Sequence, residues 1–244
     1  MHPVLLAKAI PALYPQDITL QEFQAKSGIV SRTTAKDVLE YIVSNGIGIS
    51  ASTPNHYLFY KVDKMKLAML ALQRGCDIES ISKSISWRDF EALTSEILGL
   101  SGYLTKTNIR LSIPSRIEID VMGINNNNKL AIVADCKHWK RYSLSSISFY
   151  AEKQIERTKI LFRAKRRTKQ DNISYAVPII LTLYSMDIQF IDGVPIVPIS
   201  KFKSFIEDVS LYLSEIQVIS ANILSLIALP LIGMSTYSAF AYKI

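Results

Sequence analysis

The sequence predicts an α/β protein in which a mixed central β-sheet is flanked by helices and preceded by a smaller, mainly helical domain. Two segments carry this prediction. In residues 116–121 (RIEIDV), apolar and charged residues alternate, as in a strand with one buried face. In residues 130–134 every residue is apolar, as in a strand covered on both faces. The polar turn at residues 125–128 would join the two strands as an antiparallel hairpin.

The composition bounds the class of protein. The chain has 244 residues, of which 49% are hydrophobic and 20% charged, so it can bury a packed core and is not globally disordered. This length suits one large domain or two small ones. The net charge of +7 is compatible with a nucleic-acid partner without establishing one. Two cysteines, Cys76 and Cys136, make neither a disulfide framework nor a zinc site.

Residues 1–62 are predicted to form a small domain of three helices and a hairpin. The helices are assigned to residues 4–13, to the segment that Thr19 caps and Gly28 ends, and to residues 32–44, which Ser31 caps. The hairpin strands are residues 47–50 and 57–62, around a turn at residues 53–55.

These elements resemble a winged helix-turn-helix domain. The resemblance places Arg32, Thr33 and Lys36 at the exposed start of the recognition helix, where they would contact DNA. A protein-interaction module of the same shape is the alternative, because winged helices serve both uses.

A second domain is predicted at residues 87–213, after a connecting helix and polar linker at residues 63–86. Its predicted elements are a helix at 87–98, a strand at 109–113, the hairpin, a helix at 150–168, strands at 175–184 and 194–198, and a helix at 201–213. This order is typical of a mixed sheet with helices on its faces.

Residues 214–244 form an apolar tail. Between residues 216 and 242 no residue is charged, and this length could span a bilayer. Polar residues and Pro230 interrupt the stretch, so we expect a buried or oligomerising helix, which would allow a homodimer, in preference to a membrane anchor. The N-terminus lacks the pattern of a signal peptide, and we expect a cytoplasmic protein.

Charged residues lie at the ends of the two hairpin strands. Asp135 and Lys137 are two residues apart and point to the same face, whereas Cys136 points to the opposite face and is interpreted as a small core residue. Asp120 lies on the preceding strand. Burying such charges unpaired would be costly, so a metal ion or a phosphate partner is implied.

The order of these residues resembles a known family. Glu91 on a helix, Asp120 on a strand, and Asp135 and Lys137 on the next strand are followed by a basic helix. This order resembles the restriction-endonuclease-like nuclease superfamily, whose usual signature is PD followed by (D/E)xK. The segments WRDFEALTSEILGLSGY, RIEIDV and ADCKHW are most similar to its Mrr-like branch and to related archaeal proteins with an N-terminal winged helix. The resemblance covers residues 87–184, and it departs from the signature where Ile119 stands in place of the proline.

The resemblance implies a Mg²⁺ or Mn²⁺ site. Asp120 and Asp135 would ligate the ion, the Cys136 backbone carbonyl would add an oxygen, and Glu91 would add a direct or water-mediated ligand. Oxygen ligands suit hard divalent cations. Lys137 would orient the attacking water or stabilise the pentacovalent phosphorane.

Gln154, on the following helix, is implied beside the same site. Each residue also has a simpler structural explanation that stays open at this point. Asp120 could cap the hairpin turn, and Asp135 with Lys137 could form a strand-end ion pair. Glu91 could be a solvated helix residue, and Gln154 a surface glutamine.

Residues 153–169 carry eight basic residues against one acidic residue, Glu156. This density suits a phosphate backbone, and a solvated helix face is the alternative. The DNA contacts predicted for the second domain are Lys140, Arg141, Arg157, Arg163, Arg166 and Arg167.

Together these features predict a Mg²⁺-dependent or Mn²⁺-dependent DNA endonuclease that hydrolyses phosphodiester bonds in restriction, defence or DNA repair. One alternative is a structure-specific resolvase of the Holliday-junction type. Another is a winged-helix regulator that binds DNA without cleaving it and uses the second domain to dimerise.

Overall fold

The computed structural model describes residues 1–13, 17–52, 57–112, 116–139, 142–168 and 173–220, with side chains omitted at 165–168. The chain divides into two compact units, Met1–Phe90 and Glu91–Ile244. The second domain was predicted to begin at Trp87, and the division falls within the helix that starts there.

Unit 1 consists of helices and one small sheet. Its elements are α1 (Pro3–Ala12), β1 (Ile18–Thr19), α2 (Leu20–Ser27), α3 (Arg32–Ser44), β2 (Ile49–Ser52), β3 (Tyr57–Tyr60), α4 (Lys64–Gln73) and α5 (Ile78–Lys83). The strands form an antiparallel sheet in the order β1-β3-β2. The predicted pairing of β2 with β3 is confirmed, and its turn at residues 53–55 lies outside the described residues. Strand β1 was not predicted, because two residues are too short to show a period.

Local capping explains where the helices of unit 1 begin. Glu22 N–H donates to Thr19 Oγ1 at 3.3 Å, and Thr19 N–H donates to Glu22 Oε2 at 2.8 Å, which forms a capping box at α2. Gly28 ends α2 with a left-handed φ of +66°. Ser31 Oγ accepts a hydrogen bond from Thr34 N–H at 3.2 Å and begins α3. Both predicted helix starts are therefore confirmed.

Unit 2 is an α/β unit built on a mixed seven-stranded sheet flanked by helices, which confirms the predicted mixed sheet with helices on its faces. Its elements are α6 (Trp87–Leu100, which begins in unit 1), β4 (Leu104–Leu111), β5 (Ile117–Asn125), β6 (Leu130–Lys137), α7 (Leu144–Thr168), β7 (Tyr175–Thr182), β8 (Phe190–Ile191), β9 (Val194–Pro198), α8 (Ile199–Asp208) and β10 (Ile219–Ser220). The strand order is β4-β5-β6-β7-β9-β8, and β10 also pairs with β7. Strands β4, β5 and β6 are antiparallel neighbours, whereas β6, β7 and β9 are parallel.

The β5–β6 hairpin lies inside the sheet, between β4 and β7. Its ladder runs from Asn125 opposite Leu130 to Val121 opposite Ala134, as the predicted antiparallel hairpin requires. Every residue of β6 from Leu130 to Cys136 is buried, which agrees with the prediction of a strand covered on both faces.

Helices α6 and α7 cover opposite faces of this hairpin. On the α6 face, Gly123 leaves room for Leu98, since a Cβ added at Gly123 would lie 3.0 Å from Leu98 Cδ2. On the other face, Val133 belongs to an apolar cluster with Leu161 and Phe162 of α7. Side chains of β6 therefore point alternately toward α6, as Cys136 does, and toward α7, as Asp135 does.

Pro178 lies within the buried central strand β7, although proline cannot donate a backbone hydrogen bond. Along one edge, β7 pairs with β6 over its whole length. Along the other edge, β10 pairs with Tyr175 and Ala176, and β9 pairs with Ile180 to Thr182. Pro178 lies in the interval between these partners, so no neighbouring strand on that edge requires its N–H.

Two helices differ from the prediction. Helix α7 begins at Leu144 rather than at residue 150. Ser143 and Ser146 cap it reciprocally, with Ser146 N–H donating to Ser143 Oγ at 3.2 Å and Ser143 N–H donating to Ser146 Oγ at 3.1 Å. Helix α8 spans Ile199–Asp208 rather than residues 201–213, and a short 3₁₀ turn follows it.

The outer strands also differ. Strand β4 spans Leu104–Leu111, whereas only residues 109–113 were predicted, because this edge strand is largely exposed and has a weak apolar period.

The first part of the tail was predicted to be helical, but it is not. Ile219 and Ser220 form β10, and Ile216 and Ile219 are buried. Residues 221–244 lie outside the described part of the chain. None of the described helices combines the length and apolar character needed to span a bilayer.

Candidate active site

Asp135 and Lys137 form a buried ion pair at the end of β6. Only 2% of Asp135 is exposed. Lys137 Nζ lies 3.0 Å from Asp135 Oδ1 and 2.8 Å from Oδ2. The contact with Oδ2 falls outside hydrogen-bond geometry, and among the described residues no donor makes a hydrogen bond to this buried oxygen. The carboxylate is therefore paired in charge but has a lone pair still available to a ligand.

Asp120 lies where the β5–β6 ladder stops. In the register of the hairpin, the next hydrogen-bonded pair would be Ile119 with Cys136. Instead, Cys136 N–H donates to Asp120 Oδ2 at 2.8 Å. On the other side of β5, the β4 residue opposite Asp120 is Asn108, whose left-handed φ of +51° interrupts the pairing there. The two strands separate at this point, and the Asp120 carboxylate occupies the opening between them.

The electrostatics of Asp120 reflect a crowded acidic site. The pKa of Asp120 is raised to about 6, first by burial, then by the neighbouring charge of Asp135 and, to a smaller extent, by Glu91. The Cys136 N–H and the Lys137 ammonium act in the opposite direction. The positive charge nearby therefore does not fully offset the mutual repulsion of the carboxylates.

Glu91 enters the site from α6. Only 5% of this residue is exposed, so its interpretation as a solvated helix residue is wrong. On the same helix Glu96 is exposed. Glu91 and Asp120 are close enough for the Glu91 charge to raise the pKa of Asp120. A third, buried acidic side chain thus lies near Asp120.

Helix α7 contributes three side chains from one face. Lys137 Nζ lies 4.9 Å from the centre of the Tyr150 ring, which is a cation–π distance. Gln154 is 1% exposed, so it is not a surface glutamine, and its Nε2 donates to the Val133 carbonyl at 2.8 Å. Arg157 NH1 lies 3.2 Å from Asp135 Oδ1.

Tyr150 was not among the predicted site residues. Arg157 was predicted to contact DNA, and in the structure it contacts Asp135. Their spacing from Gln154, four residues before and three after, is the signal that could have found them, because such residues share one helix face.

Cys136 separates the two sides of β6. Its Sγ lies 3.8 Å from Thr94 Oγ1 of α6, on the face opposite Asp135 and Lys137. Burial, followed by the charge of Asp120, raises the pKa of the Cys136 thiol well above its usual value. The side chain is therefore a neutral core thiol, as predicted, and only backbone atoms of Cys136 face the acidic opening.

The donor set at this opening consists of oxygen atoms. Among the described residues, no group of three or more His, Cys, Asp or Glu side chains is arranged to hold a metal ion. Mg²⁺, however, is usually held by one or two carboxylates, with water and substrate phosphate completing its shell. Asp120 and Asp135 satisfy that requirement in residue type, and the Asp135 oxygen without a hydrogen bond is a suitable donor. The residues present therefore fit a hard divalent cation.

Only some of the residues predicted to contact DNA lie in the described part of the structure. Arg32, Thr33 and Lys36 are exposed at the start of α3, and Lys36 Nζ lies 3.4 Å from Glu40. Arg163 is exposed on α7. The predicted contacts outside the description are Lys140 and Arg141, together with the side chains of Arg166 and Arg167.

Comparison with known proteins gives a distant likeness among solved structures. No protein family matches the chain. A search of curated proteins also finds no match. Among solved structures, the chain is similar to the protein VC1899 from Vibrio cholerae, with a TM-score of 0.40 and 14% sequence identity. The alignment covers 87% of this chain and 50% of that protein, so this chain spans about half its length.

Proposed function

We propose that this protein is a metal-dependent DNA endonuclease that hydrolyses phosphodiester bonds with Mg²⁺ or Mn²⁺. The observation that supports the proposal most is the grouping of Asp120, Asp135 and Lys137 where two neighbouring strands separate. Asp120 accepts the Cys136 N–H at 2.8 Å, and Lys137 lies 2.8 Å from Asp135. Asp120 is a buried carboxylate with a raised pKa beside a lysine, and perturbed pKa values cluster at functional sites.

Asp120 and Asp135 would hold the cation, with the Cys136 carbonyl and Glu91 as further oxygen donors. When bound, the cation would supply a Lewis acid that lowers the pKa of water and offsets the charge of the scissile phosphate. Removing the proton from a nearby water requires carboxylates that stay ionised near neutral pH. The Cys136 N–H and Lys137 both favour the ionised form of Asp120.

Lys137 would act on the substrate rather than on the cation. Its ammonium is held on one side by the Tyr150 ring at 4.9 Å and on the other by Asp135. In this position it can donate to a phosphate oxygen or orient the attacking water. It would also stabilise the negative charge that develops on the phosphate oxygens during the reaction.

Unit 1 would bind DNA as a winged helix-turn-helix domain. Helices α1, α2 and α3 are followed in the chain by the β2–β3 hairpin of the small antiparallel sheet, and this hairpin would form the wing. Arg32, Thr33 and Lys36 are exposed at the first turns of α3, the helix that would enter the major groove.

A DNA-binding regulator that does not cleave is the second candidate. The observation that favours it is the complete charge pairing of Asp135, which has Lys137 on one side and Arg157 at 3.2 Å on the other. An ion-pair network with a purely structural role would pair Asp135 with two cations in the same way.

Plasmid nicking separates these candidates. Purified full-length protein is incubated with supercoiled plasmid, modified or unmodified, and with a four-way junction, in Mg²⁺, in Mn²⁺ and in EDTA. Cleavage that requires metal, and that Asp135→Asn abolishes, is expected for the endonuclease. Asp187→Asn is the matched control, because Asp187 is exposed in the loop before β8. DNA binding without cleavage under every condition supports the regulator, and cleavage confined to the junction supports a resolvase.

A further inference from the structure

Two cations share the carboxylate of Asp135. Lys137 Nζ contacts both of its oxygens, at 2.8 and 3.0 Å, and Arg157 NH1 lies 3.2 Å from Oδ1. The Asp135 side chain is only 3% exposed, so these charges interact through a medium that screens them weakly. A divalent cation approaching Asp135 would meet two positive groups on the oxygens that it must bind.

The two cations are held differently. Lys137 is 15% exposed in its side chain and is retained by the Tyr150 ring as well as by Asp135. Arg157 is 29% exposed in its side chain, and it comes from the basic helix α7, which also carries the exposed Arg163. The guanidinium of Arg157 therefore reaches Asp135 from the side of the site that faces solvent, where it can leave without disturbing the core.

We propose that Arg157 keeps Asp135 occupied in the DNA-free protein and moves from Asp135 to a DNA phosphate when DNA binds, which opens the carboxylate to the metal ion. The inference rests on the proposed function, and it makes Arg157 a positioning residue that couples DNA binding to metal binding. A guanidinium suits this exchange because it pairs with carboxylate and phosphate in the same bidentate geometry.

Coupling of this kind is reciprocal. If DNA removes Arg157 from Asp135, then any change that removes Arg157 should strengthen metal binding in the absence of DNA. Equally, any change that releases Arg157 from Asp135 should strengthen DNA binding in the absence of metal. Each half can be measured without an activity assay.

The first measurement is a calorimetric titration of full-length, DNA-free protein with Mn²⁺. Arg157→Ala should bind Mn²⁺ about tenfold more tightly than the parent, because one of two competing cations is gone. Arg157→Gln is a second variant that removes the charge but keeps part of the aliphatic stem and an N–H donor group, and it should show the same direction of change. Lys203→Ala removes one charge from α8, where 76% of the Lys203 side chain is exposed, and should leave Mn²⁺ affinity within about twofold of the parent.

Three outcomes of this titration decide between the proposals. Tighter Mn²⁺ binding by folded Arg157 variants supports the inference. Equal or weaker binding by those variants overturns it and leaves the proposed function standing. Absence of Mn²⁺ binding in the parent and in every variant argues against the proposed function itself.

The second measurement is a double-mutant cycle on DNA binding in EDTA, with a short duplex as the probe. Asp135→Asn should raise DNA affinity, partly by removing a negative charge and partly by releasing Arg157. In an Arg157→Ala background only the first effect remains, so the gain should shrink by about threefold or more. A gain of the same size in both backgrounds would show that Arg157 does not transfer to DNA.

Discussion

The backbone N–H of Cys136 donates to the carboxylate of Asp120 at 2.8 Å, where the hairpin register would have paired Cys136 with Ile119. A side chain has replaced a main-chain acceptor, and the strands separate as a result. The Cys136 N–H keeps an acceptor although the ladder stops, and the Asp120 and Asp135 carboxylates lie close enough for their charges to interact. Asp120 thus has a structural role at the end of the ladder in addition to its proposed role as a ligand.

Asp120→Asn should stabilise the metal-free protein at neutral pH. The pKa of Asp120 is about 6 in the folded protein against an ordinary value of 3.8, so the folded state binds more protons than the unfolded state between these pH values. Stability contributed by the protonated carboxyl is therefore lost as the pH rises through that window. The asparagine oxygen can still accept the Cys136 N–H, and the gain above pH 7 should be on the order of 2 kcal/mol.

Urea unfolding in EDTA across the acidic and neutral range measures this gain. The advantage of Asp120→Asn should disappear below about pH 4, where the carboxyl is protonated in both states. Asp187→Asn serves as the exposed control. A variant less stable than the parent at pH 7 would show that the Asp120 charge is already compensated.

Removal of either carboxylate should abolish cleavage. Asp120→Ala and Asp135→Ala each delete a proposed metal ligand, so both should lose Mn²⁺ binding and nicking together. Lys137→Ala should lower the nicking rate by roughly a hundredfold or more while Mn²⁺ still binds, because the ammonium acts on water and phosphate. Calorimetry and a nicking assay on the same preparations test both halves. Full activity of Lys137→Ala would remove this residue from the mechanism.

Glu91→Gln should weaken Mn²⁺ binding, since this buried residue adds negative charge close to Asp120. The expected loss is about tenfold, in keeping with a ligand that acts directly or through water. Glu96→Gln is the matched control on the same helix, because Glu96 is exposed. If the two variants bind Mn²⁺ equally well, Glu91 has only a structural role.

Arg163→Ala should weaken DNA binding for all sequences and reduce the salt dependence of binding by about one unit of slope, because each phosphate contact releases counterion. Arg163 is exposed on α7. Fluorescence anisotropy over a range of salt concentrations measures the slope, with Lys203→Ala as the control for a change of one charge. An unchanged slope would assign this side chain to a solvated helix face.

Gly123→Ala should destabilise unit 2. The added Cβ would lie 3.0 Å from Leu98 Cδ2 and 3.2 Å from Tyr103 Cβ, and overpacking of this kind costs about 1–3 kcal/mol. Gly99→Ala is the matched control, because nothing lies within 4 Å of its added Cβ and alanine favours a helix by roughly 0.5–1 kcal/mol. Thermal unfolding of both variants checks the opposite signs. Equal stability of Gly123→Ala and the parent would mean that α6 can shift away from β5.

Much of unit 2 could be predicted because its signals are local. The alternation of Ile117 and Ile119 with charged residues, and the apolar run that follows from Leu130, specify strands through a period of two. The turn between them is polar, so the antiparallel hairpin followed directly. Helix ends were predictable where a single capping residue decided them, as at Ser31, and were missed where two serines capped reciprocally, as at Ser143.

The sequence by itself determined which chemistry-bearing residues lie at the ends of β5 and β6, because strand periodicity and residue type are properties of a short segment. Only the tertiary structure decided how Asp120, Asp135 and Arg157 meet. The Asp120 carboxylate accepts the Cys136 N–H where the β5–β6 ladder ends, and Arg157 reaches Asp135 because α7 packs across β6 with one face inward. Both relationships join residues far apart in sequence, so they depend on packing geometry that no local pattern encodes.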